Sequence, residues 1–297
     1  MSEAVFFVAL VVDGALTGAI YALAALAFVV VYKASRMVNF ALGDWVMLAS
    51  RLVACGLHGL GLGLAGAVAF GCAGIVAVAV VFNRLVLRRL VGQPLISLIM
   101  VTIGLGTVMR GSASLVFAGI PGGIPLPFAD DLLVVQGVPV APDKLVAGAV
   151  ASLCIGALSW FFYRSRTGLA LRALANDQQA ALMVGIGAQR HFAIAWALMG
   201  LLTVLAGTLW TAVAGGGFSV VVLGLKVFPI VIIGGLDSIP GTIVGALAIG
   251  MLESLAGGYL DPRLGGGFGT VASYVALLAT LWLRPHGLFG GPDVERV

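Results

Sequence analysis

The sequence predicts an all-α polytopic membrane protein, and two observations carry that prediction. Hydrophobic residues make up 61% of the 297 residues, charged residues make up only 9%, and the mean hydropathy is +1.15. Soluble globular domains carry about 25% charged residues, so this chain has too few charges to cover a water-exposed surface. The second observation is a series of apolar runs close to the roughly 20 residues that a helix needs to cross the hydrocarbon core.

These runs predict about nine transmembrane crossings, within a range of eight to ten. They are Val5–Tyr32, Val38–Leu57, Leu62–Phe82, Leu95–Phe117, Lys144–Tyr163, His191–Ala214, Val222–Gly234, Thr242–Ala256 and Val271–Leu283. The second run is interrupted by Asn39, Asp44 and Arg51. The seventh and eighth are short and flank the Gly- and Pro-containing segment Gly234–Gly241. Because interrupted segments at membrane depth often line a pathway, we expect broken helices there.

The distribution of charges between loops predicts the orientation of the chain. The loops on one side hold eleven basic and four acidic residues, whereas the opposite loops hold two basic and five acidic residues. Cytoplasmic loops carry an excess of Lys and Arg. The first side is therefore expected to be cytoplasmic, with the N-terminus outside and the C-terminus inside.

Two loops are long enough to be considered as parts of the protein in their own right. The external loop, residues 118–143, is rich in proline, and Leu132–Val135 with Val138–Val140 predict a small hairpin around Gln136-Gly137. Either an ordered loop without function or a docking surface fits it. The loop on the basic side, residues 164–190, is patterned as two short amphipathic helices.

Helix-capping signals divide the loop at 164–190. Asn176 is predicted to cap the second helix with Gln179 three positions later, and Gly185 is predicted to end it. This segment either rests on lipid headgroups or docks into a partner protein. Small residues such as Ala173 and Ala175 favour close docking over insertion into lipid.

Six ionisable residues fall within or at the rim of the predicted spans: Asp13, Asp44, Arg51, Arg110, Lys226 and Glu253. A charge at a helix centre costs about 2.5–3.5 kcal/mol on insertion scales. Such residues face protein or water, pair with one another, or mark a pathway. Three acids and three bases balance, which favours internal pairing, although the sequence does not name the pairs.

Five polar residues in the spans are candidates for lining a pathway. Asp44 either lines the pathway or fixes the break in the second span. Arg110 either attracts an anionic carboxylate or forms a structural ion pair. Tyr21, Asn39 and Thr102 are further candidates, and the alternative for Tyr21 and Thr102 is an interhelical hydrogen bond.

Four motifs carry a family resemblance, and they occur in the family's order. The loop at 164–190 holds the run Gly168-x-x-x-Arg172-Ala173-x-Ala175-x-Asp177-x-x-x-Ala181-x-x-x-Gly185-Ile186. The other three are Val38–Asp44 (VNFALGD), Lys226–Gly241 (KVFPIVIIGGLDSIPG) and Arg284–Gly290 (RPHGLFG). Together they resemble branched-chain amino acid ABC importer permeases of the LivH type, over essentially the whole chain.

The resemblance implies a type II-like ABC importer permease, with residues 1–297 as one transmembrane domain in the bacterial inner membrane. The chain would pair with a second, homologous permease, two cytoplasmic ATPases and a periplasmic solute-binding protein, with membrane lipid around it and no nucleic acid. ATP and Mg would be bound by the ATPases, so this chain itself needs no cofactor and is not an enzyme. The N-terminus would be periplasmic and the C-terminus cytoplasmic.

The resemblance also assigns roles to parts of the chain. Residues 164–190 would be the coupling loop, which contacts one ATPase through Arg172, Ala173, Ala175, Asn176, Asp177, Gln178 and Ala181. The two permeases would form the pathway for a small polar solute, a branched-chain amino acid or a related amino acid, amide or organic acid. Asn176, Asp237 and Leu42 depart from the common family pattern, which leaves the substrate open.

A self-sufficient secondary transporter or channel is the alternative function. Such a protein would show inverted halves with matching broken helices, and only Val38–Asp44 and Gly234–Gly241 hint at that pairing. The sequence contains neither G-x-x-x-x-G-K-[ST] nor H-E-x-x-H. We therefore expect neither nucleotide hydrolysis by a P-loop nor zinc-dependent proteolysis in this chain.

Overall fold

The computed structural model describes residues 2–87, 94–127, 133–135, 138–284 and 287–290, and this part of the chain is helical apart from one hairpin. The helices and strands, in chain order, are α1 (Glu3–Ser35), α2 (Leu42–Ala54), α3 (Leu64–Phe82), α4 (Leu95–Val116), β1 (Leu133–Val135), β2 (Val138–Val140), α5 (Pro142–Arg164), α6 (Arg166–Asn176), α7 (Gln178–Met183), α8 (Ala188–Ala214), α9 (Val222–Gly234), α10 (Ile239–Tyr259), α11 (Asp261–Leu264) and α12 (Phe268–Leu283). The all-α prediction is confirmed.

Helix length supports six membrane spans rather than nine. In the part of the chain that the structure describes, six helices are long and apolar enough to cross a membrane: α1, α3 with its extension to Leu87, α4, α5, α8 and α10. By contrast, α2 and α9 have 13 residues each and α12 has 16. The eighth predicted run is longer than expected, because α10 has 21 residues.

The core is built around α1, which is buried along most of its length and packs chiefly against α10 and α8. Glycines allow the contact with α10. A Cβ atom at Gly14 would lie 2.6 Å from the Cα atom of Met251, and one at Gly250 would lie 2.6 Å from the Cα atom of Gly18. Small residues that let helix backbones approach closely are typical of membrane interfaces, so these two helices form one rigid scaffold.

The second predicted span is broken where its polar residues occur. Helix α2 begins only at Leu42, and a π-helical turn, Cys55–Gly59, extends it. Before Leu42, the Asn39 Oδ1 atom accepts a hydrogen bond from the Ala41 backbone N–H at 3.1 Å. Because side chains satisfy the backbone in this non-helical segment, it is tolerated inside the protein at membrane depth.

The predicted break at Gly234–Gly241 is also present. Helix α9 follows a short 3₁₀ turn, contains Pro229 and ends at Gly234. Gly235 has φ of +100°, which favours glycine. The Ser238 hydroxyl then accepts from the Gly241 N–H at 3.0 Å and caps α10. The turn between α9 and α10 is therefore tightly defined.

The small external hairpin is confirmed where it is described. Strands β1 and β2 pair antiparallel, with Leu133 opposite Val140. Leu132, Gln136 and Gly137, which belong to the predicted hairpin, lie outside the described residues. So do Pro285 and His286 of the last motif.

Candidate functional site

A cavity of about 390 Å³ lies between α2, α4 and α9. Its size falls within the usual range of small-molecule sites, about 300–1,000 Å³. Its lining residues are Phe40, Gly43, Asp44, Arg110, Phe218, Val221, Val222, Gly224, Leu225 and Phe228. Two of the five predicted pathway residues, Asp44 and Arg110, are therefore brought together here.

Asp44 and Arg110 form an ion pair on the cavity wall. The Asp44 Oδ1 atom accepts from Arg110 Nε at 3.0 Å and from Nη2 at 2.9 Å. The Asp44 side chain is 7% exposed, whereas the Arg110 side chain is 56% exposed. A guanidinium group carries five N–H donors, so Arg110 keeps donors facing the cavity while it neutralises Asp44. Of the two alternatives from the sequence, the ion pair of Arg110 is therefore observed, and its attraction of a carboxylate stays a prediction.

The rest of the cavity wall is apolar and depends on a close approach of α2 to α9. Phe40 stacks on Phe228 with ring centroids 5.2 Å apart. At the helix contact, a Cβ atom on Gly43 would lie 3.2 Å from the Gly224 Cα atom and would overlap the Val221 carbonyl. Glycine at position 43 is therefore required by the way the two helices meet.

Arg51 lies beside this cavity without an acidic partner among the residues that the structure describes. Its side chain is buried, and Nη2 donates to the carbonyls of Phe117 at 2.7 Å and Ile120 at 2.9 Å. Its guanidinium carbon lies 5.2 Å from the ring centroid of Phe218, a cavity residue. Arg51 thus holds the segment after α4 against the cavity wall, a role that the charge balance of the spans did not indicate.

A second buried ion pair lies on the opposite side of α9, and it includes Tyr21. Lys226 Nζ donates to Glu253 Oε2 at 2.7 Å and to the Tyr21 hydroxyl at 2.9 Å, and that hydroxyl donates to Glu253 Oε2 at 2.7 Å. The Ser273 hydroxyl donates to Glu253 Oε1. This cluster joins α1, α9, α10 and α12, and Tyr21 belongs to it rather than to the cavity.

Asn39 and Thr102 are both buried and support the segment before α2 instead of lining the cavity. The Thr102 hydroxyl accepts from the Phe40 N–H at 3.3 Å and donates to the Ile99 carbonyl at 2.9 Å. By anchoring Phe40, Thr102 fixes one residue of the cavity wall from behind. Asn39 and Thr102 therefore shape the cavity indirectly, by accepting hydrogen bonds from backbone N–H groups of the segment before α2.

The predicted pair of helices in the loop at 164–190 is present as α6 and α7. These helices and the turn after them, residues 166–185, are called the coupling segment, after the role that the resemblance implies. The predicted cap is wrong. Asn176 is the last residue of α6, and Asp177 caps α7 by accepting from the Ala180 N–H at 2.9 Å. Asp177 adopts the extended backbone that an N-cap requires, with φ −151° and ψ 104°. Gly185 ends the segment with φ of +84°.

The residues of the coupling segment differ in exposure. Ala175 and Ala181 are buried and Ala173 is half-buried, so these alanines pack α6 and α7 onto the body of the protein. Arg172 lies over the Tyr163 ring at 5.4 Å. Asn176 and Asp177 are exposed, and the Gln178 side chain lies outside the described residues.

The exposed tip of this segment contains residues that the sequence reasoning missed. Met183 is 89% exposed, and Val184 and Leu182 are exposed beside it. Three apolar residues directly before a helix-ending glycine were the available signal. Together they form an exposed apolar patch at the end of α7.

Comparison with known proteins gives a consistent result over the whole chain. Residues 10–282 match the family described as branched-chain amino acid transport system, permease component. The high-affinity branched-chain amino acid transport system permease protein LivH of Escherichia coli (strain K12) is 28% identical over 313 residues, covering 100% of both chains. The corresponding permease protein BraD of Pseudomonas aeruginosa is 30% identical over 314 residues, again covering 100% of both.

A solved structure shares the fold. PsaBC from Streptococcus pneumoniae in complex with Fab aligns with a TM-score of 0.50, covering 93% of this chain and 92% of that chain, at 16% sequence identity. The matched family decides between the two functions that the sequence left open, a permease subunit and a self-sufficient transporter, in favour of the first. The chain therefore belongs to the family of branched-chain amino acid transport system permease components, as a LivH-type permease.

Proposed function

We propose that this multi-pass inner-membrane permease, a transport subunit rather than an enzyme, carries an apolar α-amino acid through the cavity between α2, α4 and α9. A second, homologous permease completes the pathway, a periplasmic binding protein delivers the solute, and two cytoplasmic ATPases drive transport. The names of LivH and BraD support a branched-chain amino acid as the solute.

The exposed guanidinium of Arg110 is the observation that carries this proposal. A side chain that is 56% exposed on the surface of a membrane helix faces lipid, water or protein, and a charge facing lipid is costly. Phe40, Val222 and Leu225, which line the same cavity, are exposed as well. A wall supplied by a second permease would cover all of them and leave a water-filled path between the subunits.

The chemistry of the cavity fits a zwitterion with an apolar side chain. Arg110 offers N–H donors to a carboxylate, and Asp44 offers an acceptor to an ammonium group. Phe40, Phe228 and Leu225 provide apolar surface for the side chain of the amino acid. A single exposed pair is a weak site, and weak contacts suit a pathway that must release its solute.

We further propose nine passages, three of them made by the shorter helices α2, α9 and α12. Contacts between helix ends support this path. The inner end of α1 meets the coupling segment where Arg36 bonds Ala175, and it meets the α9–α10 turn where Lys33 bonds Asp237. The segment after α12 returns to the same place, since the Leu288 N–H donates to the Ile233 carbonyl at 2.8 Å. An odd number of passages fits an external N-terminus and a basic cytoplasmic face.

The coupling segment is the proposed contact with one ATPase. Its exposed apolar tip, Leu182–Val184, would insert into the ATPase, and Asn176 and Asp177 would contact the rim of that site. The buried Ala175 and Ala181 would hold the segment on the permease, so that movement of the ATPase reaches the membrane helices.

Reconstitution tests this function directly. The chain is purified with the second permease, the ATPases and the binding protein, and uptake of labelled leucine into proteoliposomes is measured with and without ATP. We expect uptake that requires ATP and the binding protein, and that unlabelled branched-chain amino acids compete for. Uptake by this chain alone, driven by a solute or ion gradient, would contradict the proposal.

A further inference from the structure

Two basic side chains at the inner end of α1 hold two different segments of the chain. Lys33 Nζ donates to the Asp237 carbonyl at 2.7 Å, and Arg36 Nη2 donates to the Ala175 carbonyl at 3.1 Å. Lys33 is in the last turn of α1, and Arg36 is the residue that caps its end. We call Lys33 and Arg36 the α1 strap, because between them they join the coupling segment to the turn between α9 and α10.

Arg36 is placed for this contact by the end of α1. It adopts the left-handed conformation with φ of 55°, and its N–H donates to the Tyr32 carbonyl at 2.7 Å, which terminates the helix. Its guanidinium carbon lies 5.7 Å from the Tyr32 ring centroid. Ala175 is in the last turn of α6, where carbonyls have no partner within the helix and a cation is favoured by the helix dipole.

Lys33 makes the second contact of the strap, with the turn between α9 and α10. Asp237 lies in the turn that begins at Gly235, with φ of +100°, and ends at the Ser238 cap of α10. That turn is the inner end of α9, whose opposite end supplies Val222 and Leu225 to the cavity wall. Because α9 is one short helix of 13 residues, displacement of the turn is transmitted along it to the cavity.

The outer half of α1 is fixed against α10 at Gly14 and Gly18, where backbone approaches backbone. At the inner end, the packing of the buried Ala34 is supplemented by the hydrogen bonds of Lys33 and Arg36. A displacement of α6 would therefore act on the inner end of α1 and on the α9–α10 turn together, while the outer part of α1 keeps its contact with α10 at Gly14 and Gly18.

We infer that the α1 strap carries movement of the coupling segment to α9, with Lys33 and Arg36 as positioning residues for transport. This inference rests on the proposed function, because it takes the coupling segment as the contact with the ATPase. The two hydrogen bonds act in series, so loss of either one removes the polar link between α6 and the α9–α10 turn and leaves only the packing of both on α1. The strap has no contact with the solute in the cavity, so its loss changes the yield of transport per ATP and not the choice of solute.

The test uses the complete reconstituted transporter with Lys33→Met, Arg36→Gln and the double variant. We expect uptake per ATP hydrolysed to fall about tenfold in each single variant, within the range of coupling between two sites. The double variant is expected to match the worse single variant, because the bonds act in series. Arg36→Lys and Lys33→Arg, which keep a charged donor, are expected to restore most of the coupling.

Arg84→Gln is the matched control, since Arg84 is an exposed arginine in the turn that extends α3 and lies outside the loop at 164–190. It should leave uptake per ATP unchanged. Three results would overturn the strap alone: unchanged coupling in both single variants, defects that multiply in the double variant, or loss of co-purification with the ATPases. A parent transporter whose uptake needs no ATP would overturn the proposed function itself, and with it the strap.

Discussion

One ion pair lies on each side of α9, and the two pairs differ in exposure and in the number of further hydrogen-bond partners. Asp44 and Arg110 meet in the cavity, where the Arg110 side chain is 56% exposed. Lys226 and Glu253 meet in the scaffold, where their side chains are 15% and 10% exposed and where Tyr21 and Ser273 complete the hydrogen bonding. The cavity pair is thus partly exposed, whereas the scaffold pair is buried and has two further hydroxyl partners.

Under the proposed function, this difference distinguishes a pair that a solute can reach from a pair that supports helix packing. A buried pair whose donors and acceptors are all satisfied has no capacity left for a ligand, and its removal leaves an uncompensated charge. Arg110 keeps N–H donors beyond those that bond Asp44, so a carboxylate can bind there without breaking the pair. On this basis the Lys226–Glu253 cluster fixes α9 on its other side, and under the proposed function the Asp44–Arg110 pair presents charge to the pathway.

The largest effect is expected at the scaffold pair. Glu253→Leu or Lys226→Met leaves one buried charge unpaired, which costs about 3–5 kcal/mol, so the unfolding temperature of the purified permease in detergent should fall sharply. The double variant Lys226→Met with Glu253→Leu should be more stable than either single variant. A single variant as stable as the parent would show that the Lys226–Glu253 pair does not contribute to stability in the way that distinguishes it from the cavity pair.

The next test uses one glycine from each region: Gly250 at the contact between α1 and α10, and Gly43 beside the cavity. Gly250→Ala on the scaffold forces α10 from α1, and overpacking of this kind costs about 1–3 kcal/mol, so the unfolding temperature should fall. Gly43→Ala forces α9 from α2 and should lower uptake through the cavity.

Gly104→Ala serves as the control for both glycine variants, because a Cβ atom there meets no atom within 4 Å. It should change neither the unfolding temperature nor uptake. Parental uptake by Gly43→Ala would mean that the contact between α2 and α9 does not shape the pathway.

A smaller effect is expected at the cavity pair. Arg110→Lys keeps the charge beside Asp44 but loses the planar group that binds a carboxylate with two hydrogen bonds. Uptake should fall about tenfold, equivalent to about 1.4 kcal/mol of binding, while the unfolding temperature stays at the parental value. Ser114→Ala, on the same exposed side of α4, is the control. If the unfolding temperature fell as well, Arg110 would be a structural residue of the same kind as Lys226 and Glu253.

The smallest effect is expected at the coupling segment, which contains neither pair and so provides a reference. Asp177→Ala removes the cap of α7 at a cost of about 1 kcal/mol, and uptake per ATP should fall about fivefold. Asp177→Asn keeps a capping oxygen and should stay close to the parent. Equal loss in the two variants would mean that the negative charge, and not the cap, matters there.

Much of the fold follows from local pattern. The break at Gly234–Gly241, the hairpin at Leu133–Val140 and the two short helices of the coupling segment were all predicted, because glycine, proline and capping residues act on their immediate neighbours. Helix length alone does not reproduce the predicted nine crossings, since α2, α9 and α12 are shorter than a full span.

The cap of α7 shows where prediction from neighbouring residues fails. Asn176 and Asp177 are adjacent, and both side chains can cap a helix. The choice depends on which residue leaves the helical conformation, and that is set by the packing of α6 through Leu174 and Ala175 onto the body of the protein.

The sequence by itself determined the membrane class, the family, and the presence of balanced charges within the membrane. Only the tertiary structure decided that Asp44 pairs with Arg110, 66 residues away, and that Tyr21 belongs to the Lys226–Glu253 cluster. It also decided that Arg51 is held by carbonyls instead of an acid. The physical reason is that hydropathy and capping are properties of neighbouring residues, whereas a charge takes the partner that helix packing brings within about 3 Å.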